Sequence, residues 1–428
     1  MFVDKLFCLR VFISVLSLII FCLLYLFDIY LFPYFVIFCF IIFMCNMPRH
    51  IVSPLSFFYL YYGAFYIAAP LFAERYAQSL QLKEYSISFL MLYTTLSLGV
   101  CAINFGEVYA SKKRYVVKHF VKGDFTWYII FLLMVSSLMC YLIVYYSGGL
   151  QYWMESPGDA FLNRAGTGPF VILSHFSSIF LAVLVGYHTY EKKSFLLYFI
   201  FIIWLAITSP VHGSKMQISL LFLLSIMPWI RYQRFLTIKS LLLFSFLVGI
   251  FFLGLYFRNA SWVTLETILP YAFNYFTALE NLAVSVRDFD ANLLTTFWLP
   301  FNKFLTPFGL SDSSLFYDMN HYLTSIYFPE AWKIRATEQW PVETDMYLNF
   351  YFVFGIPLVL FYLSVVGYLY GLALKFDRLG YWASSFLMII FMMSHLRGSL
   401  YNHVDFYMYP YILFIWFSLY KFRFSIRG

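Results

Sequence analysis

The chain reads as an all-α polytopic membrane protein of about twelve transmembrane helices, with one long periplasmic loop containing an amphipathic helix. Three observations predict this. Hydrophobic residues make up 62% of the sequence and charged residues 11%, outside the balance of soluble domains. Apolar segments recur at close spacing, most near the ~17–25 residues a helix needs to cross a bilayer. Between the ninth and tenth of them lies one insertion, residues 258–345, rich in aromatics and acids.

The spans are expected at about 11–31, 32–46, 51–72, 85–106, 125–146, 168–189, 194–209, 214–230, 240–257, 346–371, 380–396 and 405–420. The first has a basic start, Lys5 and Arg10, as a signal peptide would. Its apolar run is too long for that, and no small-residue cleavage site follows, so it reads as an uncleaved helix. The seventh and eighth are short and flank Thr208-Ser209-Pro210-Val211-His212-Gly213, whose Pro and Gly interrupt a helix. Residues 1–257 thus form a membrane unit of nine spans, 258–345 the loop, and 346–428 three more spans with a tail.

Charge sets the expected sidedness. Lys5 and Arg10, Arg49, Lys112–Lys122, Lys192 and Lys193, Arg231–Lys239, Lys375 and Arg378, and Lys421–Arg427 fall on alternate loops. The positive-inside rule makes that face cytoplasmic, with both termini on it, in a bacterial inner membrane. The long loop carries five basic and ten acidic residues, a net −5, against +12 for the remainder, and faces outward. All six cysteines lie in or beside apolar spans, so no disulfide framework supports the loop. Neither a Gly-x-x-x-x-Gly-Lys-Ser/Thr nor a Gly-x-Gly-x-x-Gly motif occurs, which excludes ATP hydrolysis by this chain. No repeat of 20–50 residues is evident and the two halves differ, which weighs against a symmetric transporter.

Cations mark several outward helix ends. Arg164 precedes Gly166-Thr167-Gly168, Lys215 follows the His212-Gly213-Ser214 break, Arg258 ends the ninth span, and Arg397 ends the eleventh. Singly, each would snorkel to the interface or meet anionic lipid. Together they would form a phosphate pocket, because Arg grips phosphate oxygens bidentately and stays charged. Acids supply the second group: Glu338, Glu343 and Asp345 cluster before the tenth span, beside Trp340 and Pro341, whose apolar surroundings would raise a carboxyl pKa toward that of a general base. The same acids would also suit a helix N-terminus. His321, His403 and His212 are alternative bases. Asp288-Phe289-Asp290 has the spacing of a metal-binding acid pair, but it faces a compartment without nucleotide sugars. Leu265, Ile268, Leu269, Ala272, Phe273, Phe276, Leu279, Leu282 and Val286 recur at three and four, predicting an amphipathic helix over 265–286, flat on the interface or capping a cavity.

On these residues the chain resembles the O-antigen polymerase family, the Wzy-type oligosaccharide repeat-unit polymerases. Gly213-Ser214-Lys215 is similar to a Gly-Ser-Arg/Lys helix start in that family. The run Glu343-Thr344-Asp345-Met346-Tyr347-Leu348-Asn349-Phe350 through Phe354-Gly355-Ile356-Pro357 is similar to its loop-to-helix junction. Where some members have Gly eleven positions after Arg, Arg164, Arg258 and Arg287 are followed here by His175, Leu269 and Trp298.

The resemblance implies a surface-polysaccharide polymerase in lipopolysaccharide biosynthesis. This membrane glycosyltransferase moves a growing glycan from undecaprenyl pyrophosphate onto the next lipid-linked repeat unit. Arg164, Lys215, Arg258 and Arg397 would hold the carrier pyrophosphate. Arg287, Arg335 and Trp340 would contact glycan or phosphate more weakly. Glu343, with Asp345 and His321 behind it, would accept the proton of the attacking hydroxyl. No cofactor and no metal is expected, since the donor is already activated. Expected partners are the undecaprenyl-pyrophosphate-linked oligosaccharide, membrane lipid and a chain-length regulator protein, with no nucleic acid. A lipid-linked oligosaccharide flippase and an O-antigen ligase are the competing readings.

Overall fold

A computed structural model of the chain describes all residues except 1–4, 74–78, 114–122, 165, 213–214, 259–263, 265, 275, 277, 307–308, 311–315, 334–336, 403–404 and 425–428. The described residues form helices joined by turns, with three isolated β-bridges. Among the described residues, eight helical stretches are long and apolar enough to cross a membrane, and four shorter apolar helices accompany them. The protein is therefore a helical, membrane-embedded one.

Helices α1 (Lys5–Leu26) and α2 (Leu31–Cys45) lead into α3 (Pro54–Tyr62). Pro54 opens α3, and the Ser53 hydroxyl accepts from the Ser56 N–H at 3.2 Å to cap it. The helix then widens into a π-turn over Gly63–Ala68 before α4 (Ala69–Phe72). The long α5 (Lys83–Ser111) and α6 (Thr126–Tyr146) follow, then two short helices, α7 (Gly149–Glu155) and α8 (Pro157–Leu162). Next come α9 (Gly168–Lys192), α10 (Leu196–His212), α11 (Lys215–Ile230) and α12 (Ile238–Arg258).

Loop 258–345 contains α13 (Ile268–Asn274), α14 (Ala278–Asp288), α15 (Leu299–Leu305), α16 (Met319–Tyr327) and α17 (Pro329–Lys333). The amphipathic stretch at 265–286 is thus divided between α13 and α14. Leu279, Leu282 and Ala283 of α14 are buried, and α14 packs on α5 and the π-turn. It is a member of the helix assembly rather than a raft on its surface.

The second difference lies at the tenth span. The periodicity places its start at 346, whereas residues Val342–Phe350 form a separate helix, α18. Tyr351 and Phe352 both take positive φ, 48° and 61°, and break the helix before α19 (Ile356–Phe376). Residues 292–296, joined by an isolated bridge from Leu293 to Phe350, strap across the end of α18. Asn292 and Leu294 N–H groups donate to the carbonyls of Tyr347 and Asn349, at 3.0 Å each. These bonds satisfy acceptors that a helix end leaves open. An apolar run over 346–371 cannot reveal such a break, because the residues on both sides of it are predominantly apolar.

Helices α20 (Leu379–Leu396) and α21 (Asp405–Leu419) complete the assembly. Its centre is the α5–α19 pair. A Cβ on Gly367 would lie 2.2 Å from the Ile103 carbonyl oxygen, and one on Gly106 2.0 Å from that of Ser364. Two backbones approach this closely only where small residues permit it.

Candidate functional site

The first turn of α18 is inserted into the interior. Trp340, Val342, Glu343 and Thr344 have no exposed surface and Asp345 is 2% exposed. The Glu343 Oε1 accepts from the Tyr62 hydroxyl of α3 at 2.9 Å, and near it the Thr95 hydroxyl of α5 donates to the Met91 carbonyl at 3.1 Å. Its Oε2 is buried without a hydrogen-bond partner among the described residues. Burial pushes this carboxyl up to about 7, while the hydroxyl bonds and its place at a helix N-terminus favour the anion. A carboxyl titrating there exchanges protons at neutral pH.

Asp345 is built differently. Its Oδ1 accepts from Tyr401 Oη at 2.7 Å and from Asn349 Nδ2 at 2.8 Å. Asn349 also donates to Thr296 Oγ1 at 2.8 Å, tying the strap to α18. Burial raises this carboxyl to about 7 as well. The two acids therefore share an elevated pKa but not a surrounding: Glu343 keeps an open oxygen, and Asp345 anchors a network.

Around Glu343 stands a tyrosine cluster. The Tyr62 and Tyr61 rings meet edge-on at 5.6 Å, and the Tyr61 and Tyr66 hydroxyls are 2.8 Å apart. Tyr61 donates to the Leu396 carbonyl at 2.7 Å, which brings the end of α20 to the cluster. There the Arg397 guanidinium lies 5.7 Å from the Phe65 ring centroid, with its Nε buried and without an acceptor among the described residues. Asn320 of α16 joins the parts. Its side-chain amide donates to the Arg397 carbonyl and accepts from the Trp340 N–H, at 3.3 Å each. Glu343, Arg397 and Trp340 thus belong to one contiguous neighbourhood built by α3, α5, α16, α18 and α20.

An apolar groove of about 910 Å³ reaches the same place from the side. Helices α2, α3 and α12 line it, and Tyr62 and Gly63 stand in its wall. Phe40, Leu236 and Leu241 on its rim are 62%, 71% and 64% exposed, so the groove opens on the lipid-facing surface. Tyr62 touches both the groove and Glu343.

Arg164 is held against the Phe161 ring at 3.6 Å and donates to the carbonyls of Phe161 (2.8 Å) and Val211 (3.5 Å). This brings it to the end of α10, four residues before Lys215 begins α11. The side chains of Lys215 and Arg258 lie outside the described residues, as do Arg335 and His403. The described contacts of Arg164 run to α8 and α10, and those of Arg397 to α3, α16 and α20. His212 is buried with its ring 5.6 Å from Trp204.

His321 packs its ring 5.1 Å from Trp332 and accepts from the Tyr317 N–H at 3.3 Å, within the loop. The His321 backbone N–H donates to Asp318 Oδ1 at 2.8 Å. Arg287 grips neighbouring Asp288 through both carboxylate oxygens, at 2.7 and 3.0 Å, on an exposed face. Asp288 is thereby engaged, and also accepts from Tyr327 at 2.9 Å. Among the described residues no three His, Cys, Asp or Glu side chains converge as a metal-ligating group.

Sequence reasoning missed Tyr61, Tyr62, Tyr66, Thr95 and Asn320. The available signal was Tyr61-Tyr62-Gly63 inside an apolar span, where polar tips require partners. No family model, characterised protein or solved structure matches the chain.

Proposed function

We propose that this chain is a periplasm-facing glycosyltransferase of twelve crossings that extends a surface polysaccharide from a polyprenyl-pyrophosphate-linked donor. The observation that carries this reading is Glu343: a fully buried carboxyl titrating at about 7, with one oxygen open, bonded to Tyr62 in the wall of a lipid-facing groove, while the neighbouring Tyr61 bonds the end of α20 next to Arg397. In this reading the groove takes the isoprenoid tail, and the pyrophosphate lies near Arg397. A hydroxyl of the acceptor sugar attacks the anomeric carbon of the donor. The C1–O bond to pyrophosphate breaks, the hydroxyl proton passes to Glu343, and the lipid pyrophosphate leaves with the bonding electrons. The transition state has oxocarbenium character, as in glycoside cleavage. A guanidinium placed where the leaving charge grows lowers that barrier most, because it is already oriented in a site shielded from water. Arg164, Lys215 and Arg258 are assigned to the same anion as further cations of the outward face. Asp345 and His321 stand behind Glu343 as bases, and Arg287 and Arg335 border the glycan path, while the fully buried Trp340 backs the wall.

The experiment is a clean deletion in the source bacterium followed by gel analysis of its lipopolysaccharide. Core carrying a single repeat unit supports a polymerase. Core with no repeat at all points to a flippase or ligase and removes the assignment.

A further inference from the structure

At the end of the assembly opposite loop 258–345 lies a second polar cavity, of about 140 Å³. It far exceeds the ~10–15 Å³ that one water requires. Arg10 of α1, Arg49 of the α2–α3 connection and Glu107 of α5 line it, with Ser53, Asn104 and Tyr370. Two guanidinium groups against one carboxylate give the cavity a net charge of +1. The Arg10 Nε is buried and has no hydrogen-bond acceptor among the described residues. A charged N–H donor removed from water without an acceptor is costly, and an entering anion would relieve that cost.

The walls are set before any ligand arrives. Arg49 is pinned by its backbone: its carbonyl accepts from the Phe235 N–H at 3.1 Å, and the adjoining Ile51 N–H donates to the Gln233 carbonyl at 3.0 Å. The Tyr370 hydroxyl is bonded to His50 Nδ1 at 2.7 Å. Asn104 donates to Asn46 Oδ1 at 3.1 Å and to the Val100 carbonyl at 2.9 Å. Glu107 is held where Gly371 brings α19 against it, since a Cβ at Gly371 would lie 2.8 Å from the Glu107 carbonyl oxygen. A site arranged in advance loses little entropy on binding.

We propose that this cavity binds the phosphodiester headgroup of an anionic membrane phospholipid. Its +1 charge matches a single phosphodiester, and the two guanidinium groups supply paired donors to phosphate oxygens. Glu107 and the Ser53 hydroxyl are acceptors for headgroup hydroxyls, as a glycerol headgroup carries. The lipid source follows from the surroundings. Leu9 and Phe12 of α1, which flank Arg10, are 53% and 61% exposed, and Phe7 is in the cavity wall, so acyl chains have an apolar surface directly beside it. The site lies apart from Glu343 and does not depend on the glycosyltransferase reading.

The test uses the full chain in detergent with three probes: phosphatidylglycerol, phosphatidylcholine and inorganic phosphate. Native mass spectrometry reads bound lipid, and tryptophan-fluorescence melting reads stabilisation. The expected result is phosphatidylglycerol retention about tenfold above phosphatidylcholine. That preference should fall about tenfold in Arg10→Gln and in Arg49→Gln and stay unchanged in Lys192→Gln, a cation outside the cavity that pairs with Asp124. Arg49 is exposed, so its variant reports on binding even where Arg10→Gln folds poorly. Equal retention of the two lipids, or a preference that survives both Arg substitutions, overturns the proposal. Stabilisation by inorganic phosphate without phosphatidylglycerol retention overturns the lipid assignment.

Discussion

Replacing Glu343 with Gln separates the two consequences of burying this carboxyl. The substitution keeps volume and the ability to accept from Tyr62, which donates to Oε1 at 2.9 Å. It removes the ionisable proton. With the carboxyl titrating at about 7 instead of 4.5, and ~1.36 kcal/mol for each tenfold, the buried anion is disfavoured by about 3 kcal/mol. Between these values the folded protein holds a proton that the unfolded chain has released. Stability therefore falls as pH rises from 4.5 to 7 and levels off above. Asp345, raised from 3.8 to about 7, adds a slope of the same sign. Glu343→Gln should remove its own part of that slope and melt higher than wild type at pH 8, while Asp345 retains the rest. Activity should move the other way. A positioned general base contributes roughly 10²–10⁴ in rate, about 2.7–5.4 kcal/mol of barrier. The variant should thus be at least as stable and nearly inactive. The assay pairs melting curves in detergent across pH 4–8 with polymer formation in a deletion strain at matched abundance. Glycan ladders within threefold of wild type, or a pH slope that Glu343→Gln leaves unaltered, would refute the reasoning.

Other outcomes follow from neighbouring residues. Activity should rise with pH through about 7 as Glu343 ionises, and Tyr62→Phe should move that limb to higher pH, because the lost donor favours the anion; a pH–rate profile reads this. Asp345→Ala removes the acceptor of the Tyr401 hydroxyl, at about 1–3 kcal/mol, while Asn349 keeps Thr296, and should lower the melting temperature and abundance, measured by fluorescence-detected size exclusion. Arg397→Gln should preserve abundance and reduce polymer by roughly 10²–10³-fold if it faces the leaving pyrophosphate; quantified ladders decide. Gly367→Leu should abolish folded protein by forcing α5 from α19, whereas Gly63→Ala, with open space at its Cβ, should be recovered at wild-type yield.

The apolar stretches were legible because burial in a bilayer demands long runs of apolar residues, and these are local in sequence. Helices α5, α6, α9 and α20 begin within about three residues of the segments read from composition. Glu343 and Asp345 were also visible, as acids abutting Trp340 and Pro341 at a helix entry. The break between α18 and α19 was not. It rests on Tyr351 and Phe352 in positive φ, residue types that carry no turn signature, and on a strap from residues 292–296 some fifty positions away.

The sequence by itself determined an all-helical membrane-embedded chain and the acids that could carry chemistry, since hydropathy and charge are properties of each residue. Only the tertiary structure decided that Glu343 meets Tyr62 across 281 positions, with Arg397 in the same neighbourhood. It also decided that Asp345, two residues on, is held in a network. Proximity of that kind arises from packing among five helices, and the order of residues along a chain does not encode which buried oxygen is left open.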